Sequence, residues 1–253
     1  DWTPARDVML YVKTSRGFKG GGLPQRAGLD PLSFQPFDPE TVTDYEIGLK
    51  ADWFDRHLRT NLAAYQSDYN DIQRSITIPS PISVTTSVVQ NAASARIKGF
   101  EFDATATPVR DLLLRASVAY TNTRYRRFVD GLGNDLSAQR FQNQPAWIYS
   151  LSAGYTAEFG SNRLGFQIDW YWRDDADLFP TGASPSSFRV EPAYGILNGR
   201  LTLEIGEATE VSLWGKNLTD KRYATSVFDH PYGYVVSTPG APRTVGVDVS
   251  RRF

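Results

Sequence analysis

Catalysis and metal binding need particular side chains brought close together, and this chain offers few. Its 253 residues contain no cysteine and only two histidines, His57 and His230. Without a thiol there is no disulfide framework, thiolate metal site or cysteine nucleophile. The one pair composed like a general base is Asp229-His230, and no nucleophile elbow accompanies it. The acidic run Asp174-Asp175-Ala176-Asp177 carries oxygen ligands of the kind calcium takes, but its spacing is loose and no EF-hand pattern follows, so a solvated loop is expected. Gly20-Gly21-Gly22 lacks the Lys-Ser/Thr ending and following helix of a phosphate loop and reads as a flexible loop entry. The expectation is a chain with no catalytic residue, no metal and no cofactor.

Charge and hydropathy narrow the remaining classes. Lys and Arg number 27 against 28 Asp and Glu, a formal net charge of -1, which gives no overall field for gripping a phosphate backbone, so no nucleic-acid partner is expected. The opening Asp1-Trp2-Thr3-Pro4 has no initiator Met, basic region or apolar region, as though a signal had been removed or the chain were an internal piece of something longer. No stretch approaches the ~20 apolar residues of a membrane-spanning helix. A membrane β-barrel stays open, because alternation dilutes its apolar residues.

The elements that must position any site are strands. Tyr45, Ile47, Leu49, Ala51 and Trp53 alternate with Asp44, Glu46, Gly48, Lys50 and Asp52, a period of two that puts apolar groups on one face and polar groups on the other. The same alternation covers 112–121, 147–156, 164–173, 197–205 and 245–253, with weaker segments near 7–17, 57–70, 95–107 and 209–218; the faces of 57–70 are ambiguous. Short links at 54–57, 107–111, 159–163 and 205–210 alternate with long ones at about 18–41, 71–94, 124–145, 174–193 and 219–243. Tight turns at one rim and long loops at the other are the pattern of an outer-membrane barrel. Strands of about 9–11 residues, aromatic residues at strand ends and charge on the opposite face (Glu46, Lys50, Glu101, Asp103, Asp169, Arg200, Glu204, Asp248) favour lipid on the apolar side. A soluble all-β domain with that face as its core alternates in the same way and is the competing reading.

Several motifs then carry a family resemblance. Ser15-Arg16-Gly17-Phe18-Lys19-Gly20-Gly21, Pro39 through Lys50, Ala64 through Gln73, Lys216-Asn217-Leu218-Thr219-Asp220-Lys221-Arg222-Tyr223, Pro242-Arg243-Thr244 and the ending Arg251-Arg252-Phe253 resemble the barrel of TonB-dependent outer-membrane receptors, most of all the siderophore and iron-complex branch. The resemblance implies an all-β, antiparallel transmembrane barrel of about 22 strands with a plugged lumen. Residues 1–253 would supply about ten C-terminal strands, without the N-terminal plug, the early strands or the TonB-contacting segment. Family members take up a scarce ligand from outside a Gram-negative cell with TonB-supplied energy and are not enzymes.

On that reading the ligand, a ferric siderophore or other iron complex, meets the external loops. Arg124, Tyr125, Arg126 and Phe128 would attract an anionic complex, and Phe228, His230, Tyr232 and Tyr234 would stack on it or bond it. Arg124, Arg126 and Arg127 would equally suit phosphorylated headgroups of outer-membrane lipid. The resemblance also implies a periplasmic C-terminus whose last aromatic residue, Phe253, is read by the barrel-assembly machinery. The alternatives are a self-contained ten-stranded barrel acting as a protease or porin, and a soluble all-β binding domain.

Overall fold

The computed structural model describes residues 1–24, 30–178, 190–230 and 234–252. Its strands are β1 (Trp2–Ala5), β2 (Val8–Lys19), β3 (Glu40–Trp53), β4 (Leu58–Pro79), β5 (Thr85–Ala106), β6 (Leu112–Phe128), β7 (Trp147–Phe159), β8 (Asn162–Arg173), β9 (Ala176–Asp177), β10 (Val190–Glu191), β11 (Tyr194–Ile205), β12 (Thr209–Lys216), β13 (Ala224–His230), β14 (Tyr234–Pro239) and β15 (Thr244–Arg251), with one 3-10 turn at Pro31–Phe34. An 11-stranded antiparallel sheet runs β1-β2-β3-β4-β5-β6-β7-β8-β11-β12-β15, while β9 with β10 and β13 with β14 form two small sheets inside its connections. All ten expected strands are present, and β1 adds a short hairpin at one edge. The sheet does not close on itself: β1 and β15 have one neighbour each.

The turn end relies on left-handed backbone. Phe54, Asp55 and Arg56 have φ of 53°, 52° and 69°, and Asp111 has 65°. The β7–β8 and β11–β12 links pivot on Gly160 and Gly206 at φ 62° and 59°, where a Cβ would be strained.

Strand pairing sorts the side chains into two faces. Val12, Ile47, Ala64, Phe100, Tyr120 and Trp147 form one continuous cross-strand row, and Tyr155, Phe166, Leu201, Leu213 and Val247 form another. This face stays open among the described residues, with Ile47 58% and Leu201 42% exposed. A soluble sandwich would cover such a face with a second sheet. The pairing Leu49–Leu62–Phe102 also settles β4, whose Leu58, Thr60, Leu62 and Ala64 lie on the apolar face. Large rings close gaps left by glycine: Trp170 lies where a Cβ on Gly195 would come within 2.1 Å of its ring, and Tyr11 does the same over Gly48 at 2.3 Å.

One expected loop proves to be largely strand, and another begins as strand. Segment 71–94 is the far half of the β4–β5 hairpin, whose link is only residues 80–84. Irregular register between Tyr69 and Gln73, with Asp71 at φ 55°, shifts the alternation by one residue, so the period seen in 58–70 breaks although pairing continues. Likewise β6 continues to Phe128, so Arg124, Tyr125, Arg126 and Phe128 stand on a strand and not in a loop. A second irregularity opposite Ser94/Ala95 brings Tyr125 and Phe128, three residues apart, into one cluster.

Candidate ligand-binding face

The polar face forms one wall of any lumen, and its loop end forms the mouth. Between β2 and β5 lies a depression of about 470 Å³ lined by Tyr11, Lys13, Asp44, Glu46, Lys50 and Glu101 among others. Tyr11 donates to Glu46 at 2.6 Å, which fixes the ring across Gly48. Higher on the same wall Glu40, almost fully buried, accepts from the Tyr69 hydroxyl at 2.9 Å and from the Gln73 backbone N–H at 2.7 Å, with the Lys19 ammonium 3.7 Å away.

Two arginine–aromatic clusters organise the mouth. In the first, Tyr125 stacks on Phe141 with centroids 4.3 Å apart, and Arg74 lies over both rings and donates to the Tyr125 hydroxyl. Ile72, Ile76, Val88, Ala93, Ala95 and Phe128 complete this packed core. In the second, Tyr194 stacks on Tyr223 at 4.5 Å under Arg173, whose guanidinium also donates to Asn143 at 3.3 Å. Nε of Arg74 and of Arg173 are buried without a partner among the described residues. Sequence reading singled out Tyr125 and Tyr223 but joined neither to its cluster. The alternation of Ile72, Arg74 and Ile76 was the available signal, hidden by the bulge before it.

The expected ligand residues separate. Tyr125 and Phe128 are 8% and 4% exposed, so they support the loops from within instead of offering a contact surface. Arg124 and Arg126 are exposed on the opposite face: Arg124 pairs with Arg96 in the apolar face's register, and Arg126 reaches Asp68 at 3.1 Å. A β-strand alternates sides, which is why four nearby residues cannot converge on one ligand. Phe228, His230 and Tyr234 lie in the β13–β14 hairpin, where His230 pairs with Tyr234. Tyr232 and Phe253 lie outside the described residues. His57 sits in the turn end, its Nδ1 2.8 Å from the Thr107 carbonyl, far along the chain path from the hairpin that carries His230.

The acidic run 174–177 is docked, not solvated. Asp175 pairs with Arg140 at 2.6 Å, and the Asn143 N–H donates to the Asp177 carbonyl at 2.6 Å. The hydrogen bond from Arg140 holds the Asp175 carboxyl below its ordinary 3.8. Because this pKa is depressed on folding, its stabilisation is present above the ordinary value and fades as pH falls through the lowered one. Amide exchange at Asn143 is therefore expected to stay slow from neutral pH down to about pH 4 and to accelerate below it; acceleration near pH 6 would contradict this role.

Asn217 explains the Lys216–Tyr223 motif. At φ 50° and 3% exposed, its amide donates to the carbonyls of Lys221 and Ala241 and accepts from the Lys221 N–H, while its backbone N–H donates to Asn198 Oδ1. It pins the start of the last long connection to its end. Asn217→Ala leaves buried groups unpaired, and a loss of about 1–3 kcal/mol in local stability is expected, read by proteolysis within 218–243.

Comparison with a family model shows the family. Residues 1–218 match the family described as TonB dependent receptor-like, beta-barrel. The chain belongs to the TonB-dependent receptor β-barrel family. The receptor chain is 25% identical over 229 residues to the ferric-pyoverdine receptor PbuA of a Pseudomonas strain, covering 85% of this chain and 25% of that protein. It is 23% identical over 259 residues to the metal-pseudopaline receptor CntO of Pseudomonas aeruginosa, covering 98% of this chain and 32% of that one. In fold, this chain matches the ferric yersiniabactin uptake receptor FyuA of Yersinia pestis with a TM-score of 0.79 at 18% identity, over 100% of this chain and 36% of that one. The receptor chain thus spans between a quarter and about a third of these relatives.

Proposed function

We propose that this chain forms part of the wall and mouth of an outer-membrane receptor for a metal chelate, most of all a ferric siderophore, whose uptake draws energy from TonB. The match of residues 1–218 to the receptor barrel family, with relatives named for ferric-pyoverdine and metal-pseudopaline, carries the reading. The uncovered apolar face supports it, since a bilayer supplies the missing layer. In this reading the open edges at β1 and β15 pair with further strands of a barrel of about 22, and an N-terminal plug fills the lumen. The long connections face outward and the tight turns and C-terminus face the periplasm. Phe228, His230, Tyr232 and Tyr234 in and around the β13–β14 hairpin are the loop residues proposed to meet the chelate. The role is transport, with no covalent chemistry.

The test uses the receptor as made by its own cells. Ferric-pyoverdine, ferric-yersiniabactin and metal-pseudopaline are offered separately to metal-starved cells with and without the gene, and to cells lacking TonB. Gene- and TonB-dependent accumulation of one chelate is expected; accumulation unaffected by the gene for every chelate, and by a wider siderophore panel, would sink the assignment. Deleting Phe253 is expected to lower the receptor's outer-membrane level severalfold, read by immunoblot of membrane fractions, whereas unchanged abundance would remove it as an assembly signal.

A further inference from the structure

The far half of the β4–β5 hairpin carries an edge with no strand paired to it. β3 follows β4 only as far as Asn70, opposite Thr41, whereas β5 follows it to Pro79, opposite Thr85. Residues 74–79 therefore have one strand neighbour among the described residues. In an antiparallel pair, successive residues turn their N–H and C=O alternately toward the partner strand and away from it. The Gln73 N–H donates to Glu40 Oε2 at 2.7 Å, on the side of β3, and the Ser80 N–H donates to the Val84 carbonyl at 3.4 Å, across the hairpin. Even positions thus bond β5, and Ser75 and Thr77 present N–H and C=O to the open side. Pro79, next in that phase, has no N–H to leave unpaired. The neighbouring connection reaches Gln73, Ser80 and Asn91 through Gly20, Asp30 and Asp38, and no backbone bond from its described residues reaches Ser75 or Thr77.

Composition leaves this edge unguarded. Exposed edges are ordinarily protected by charge, above all by lysine. Residues 75–95 hold no Asp, Glu, Lys or Arg, the longest such run in a chain that is 22% charged, and Ile76, Thr77, Ile78, Val88 and Val89 favour extended backbone. The edge is also held in place: Ile76 and Val88 sit in the packed core, and the Gln73 side-chain amide donates to the carbonyls of Gly20 and Asp38 at 2.9 and 3.1 Å. A preformed edge loses little freedom when a strand is added to it. Two receptors upright in one membrane are related by rotation about its normal, so their β4 edges would meet parallel. The two strands of a parallel ladder bond inequivalently, so two identical edges do not close a symmetric pair. We propose that residues 75–79 take up an extended, uncharged segment of a partner protein at the cell surface as an added strand, with the exposed Ile82 and Val84 at the hairpin tip as an apolar anchor; the surface location rests on the outer-membrane reading above.

The experiment uses the intact receptor, purified from outer membranes in detergent, and a synthetic peptide with the sequence of residues 85–91, which in the receptor already pairs with β4. Site-resolved amide exchange is the readout. Ser75 and Thr77 are expected to exchange freely without peptide and about tenfold more slowly at a peptide concentration about ten times its dissociation constant, whereas Ile76 and Ile78, bonded to β5, stay slow throughout. The same peptide N-methylated at every amide has no N–H to give the ladder and is expected to have no effect. Thr77→Pro, which removes an outward N–H while sparing the bonds to β5, is expected to abolish the slowing at Ser75. Slow exchange of Ser75 and Thr77 in the peptide-free receptor would mean that its own chain fills the edge. No slowing by the unmodified peptide, equal slowing by the methylated one, or slowing that persists in Thr77→Pro would show that no strand is added. Ser75→Cys receptors that join as disulfide-linked dimers in the membrane would make a second copy the occupant. Each of these outcomes overturns the inference and leaves the receptor reading intact, whereas a receptor absent from the outer membrane would overturn both.

Discussion

Replacing Leu201 with Arg is expected to abolish stable insertion. Leu201 stands near the middle of β11 on the apolar face, between Phe166 and Leu213, and is 42% exposed. If lipid covers that face, a cation at mid-depth costs about 2–4 kcal/mol, a large part of a domain's whole margin of stability. The comparison is Ser117→Arg on the polar face, where the new cation would stand beside Asp103, its register partner. That change is expected to stay within about 0.5 kcal/mol of the unaltered protein. Outer-membrane recovery and heat-modifiable migration read both variants. A Leu201→Arg protein that inserts normally while Ser117→Arg fails would mean that the lipid and lumen faces are the reverse of those argued here.

Truncating Phe128 to Ala is expected to release the far half of the β4–β5 hairpin. A two-stranded hairpin beyond the edge of a sheet is marginal alone. What holds this one is the cluster of Ile72, Ile76, Val88, Ala93, Ala95, Tyr125 and Phe128, with Leu136 and Phe141 from the following connection packed against it. Removing a buried Phe costs about 3–5 kcal/mol, more than such a hairpin has in reserve. Amide exchange within 72–78 and 86–93 is expected to rise by orders of magnitude, while 58–66, flanked by β3 and β5 along its whole length, stays protected. Unchanged exchange in 72–78 would show that the cluster does not hold the hairpin. Because Arg74 and Phe141 belong to the same cluster, the variant also tests whether the mouth depends on it: chelate uptake is expected to fall with the exchange protection.

How much of this was legible follows from the range over which each signal acts. Alternation with period two is a local consequence of extended backbone, so Tyr45 to Trp53 or Leu197 to Ile205 declare both strand and faces without knowledge of any partner. Tight turns are local too: Asp111, Gly160 and Gly206 suit left-handed backbone wherever they occur. The bulges near Asp71 and Arg126 are different. Each exists because a neighbouring strand keeps its own register, and one added residue inverts the alternation, turning 72–78 into an apparent loop and Tyr125 and Phe128 into apparent loop contacts. Asp174 to Asp177 looked solvated because Arg140 and Asn143, which engage it, arrive from another connection.

The sequence by itself therefore determined the all-β class, the ten long strands, the rhythm of short and long connections and the family, since all are written in local periodicity and short motifs. Only the tertiary structure decided which side of β6 each residue of 124–128 occupies, that Tyr125 and Phe128 are buried, and that residues 74–79 have one strand neighbour. Those facts depend on cross-strand register, where residues as far apart in the chain as Leu58 and Ala106 become neighbours at about 5 Å, and a one-residue shift moves a whole strand's side chains to the other face.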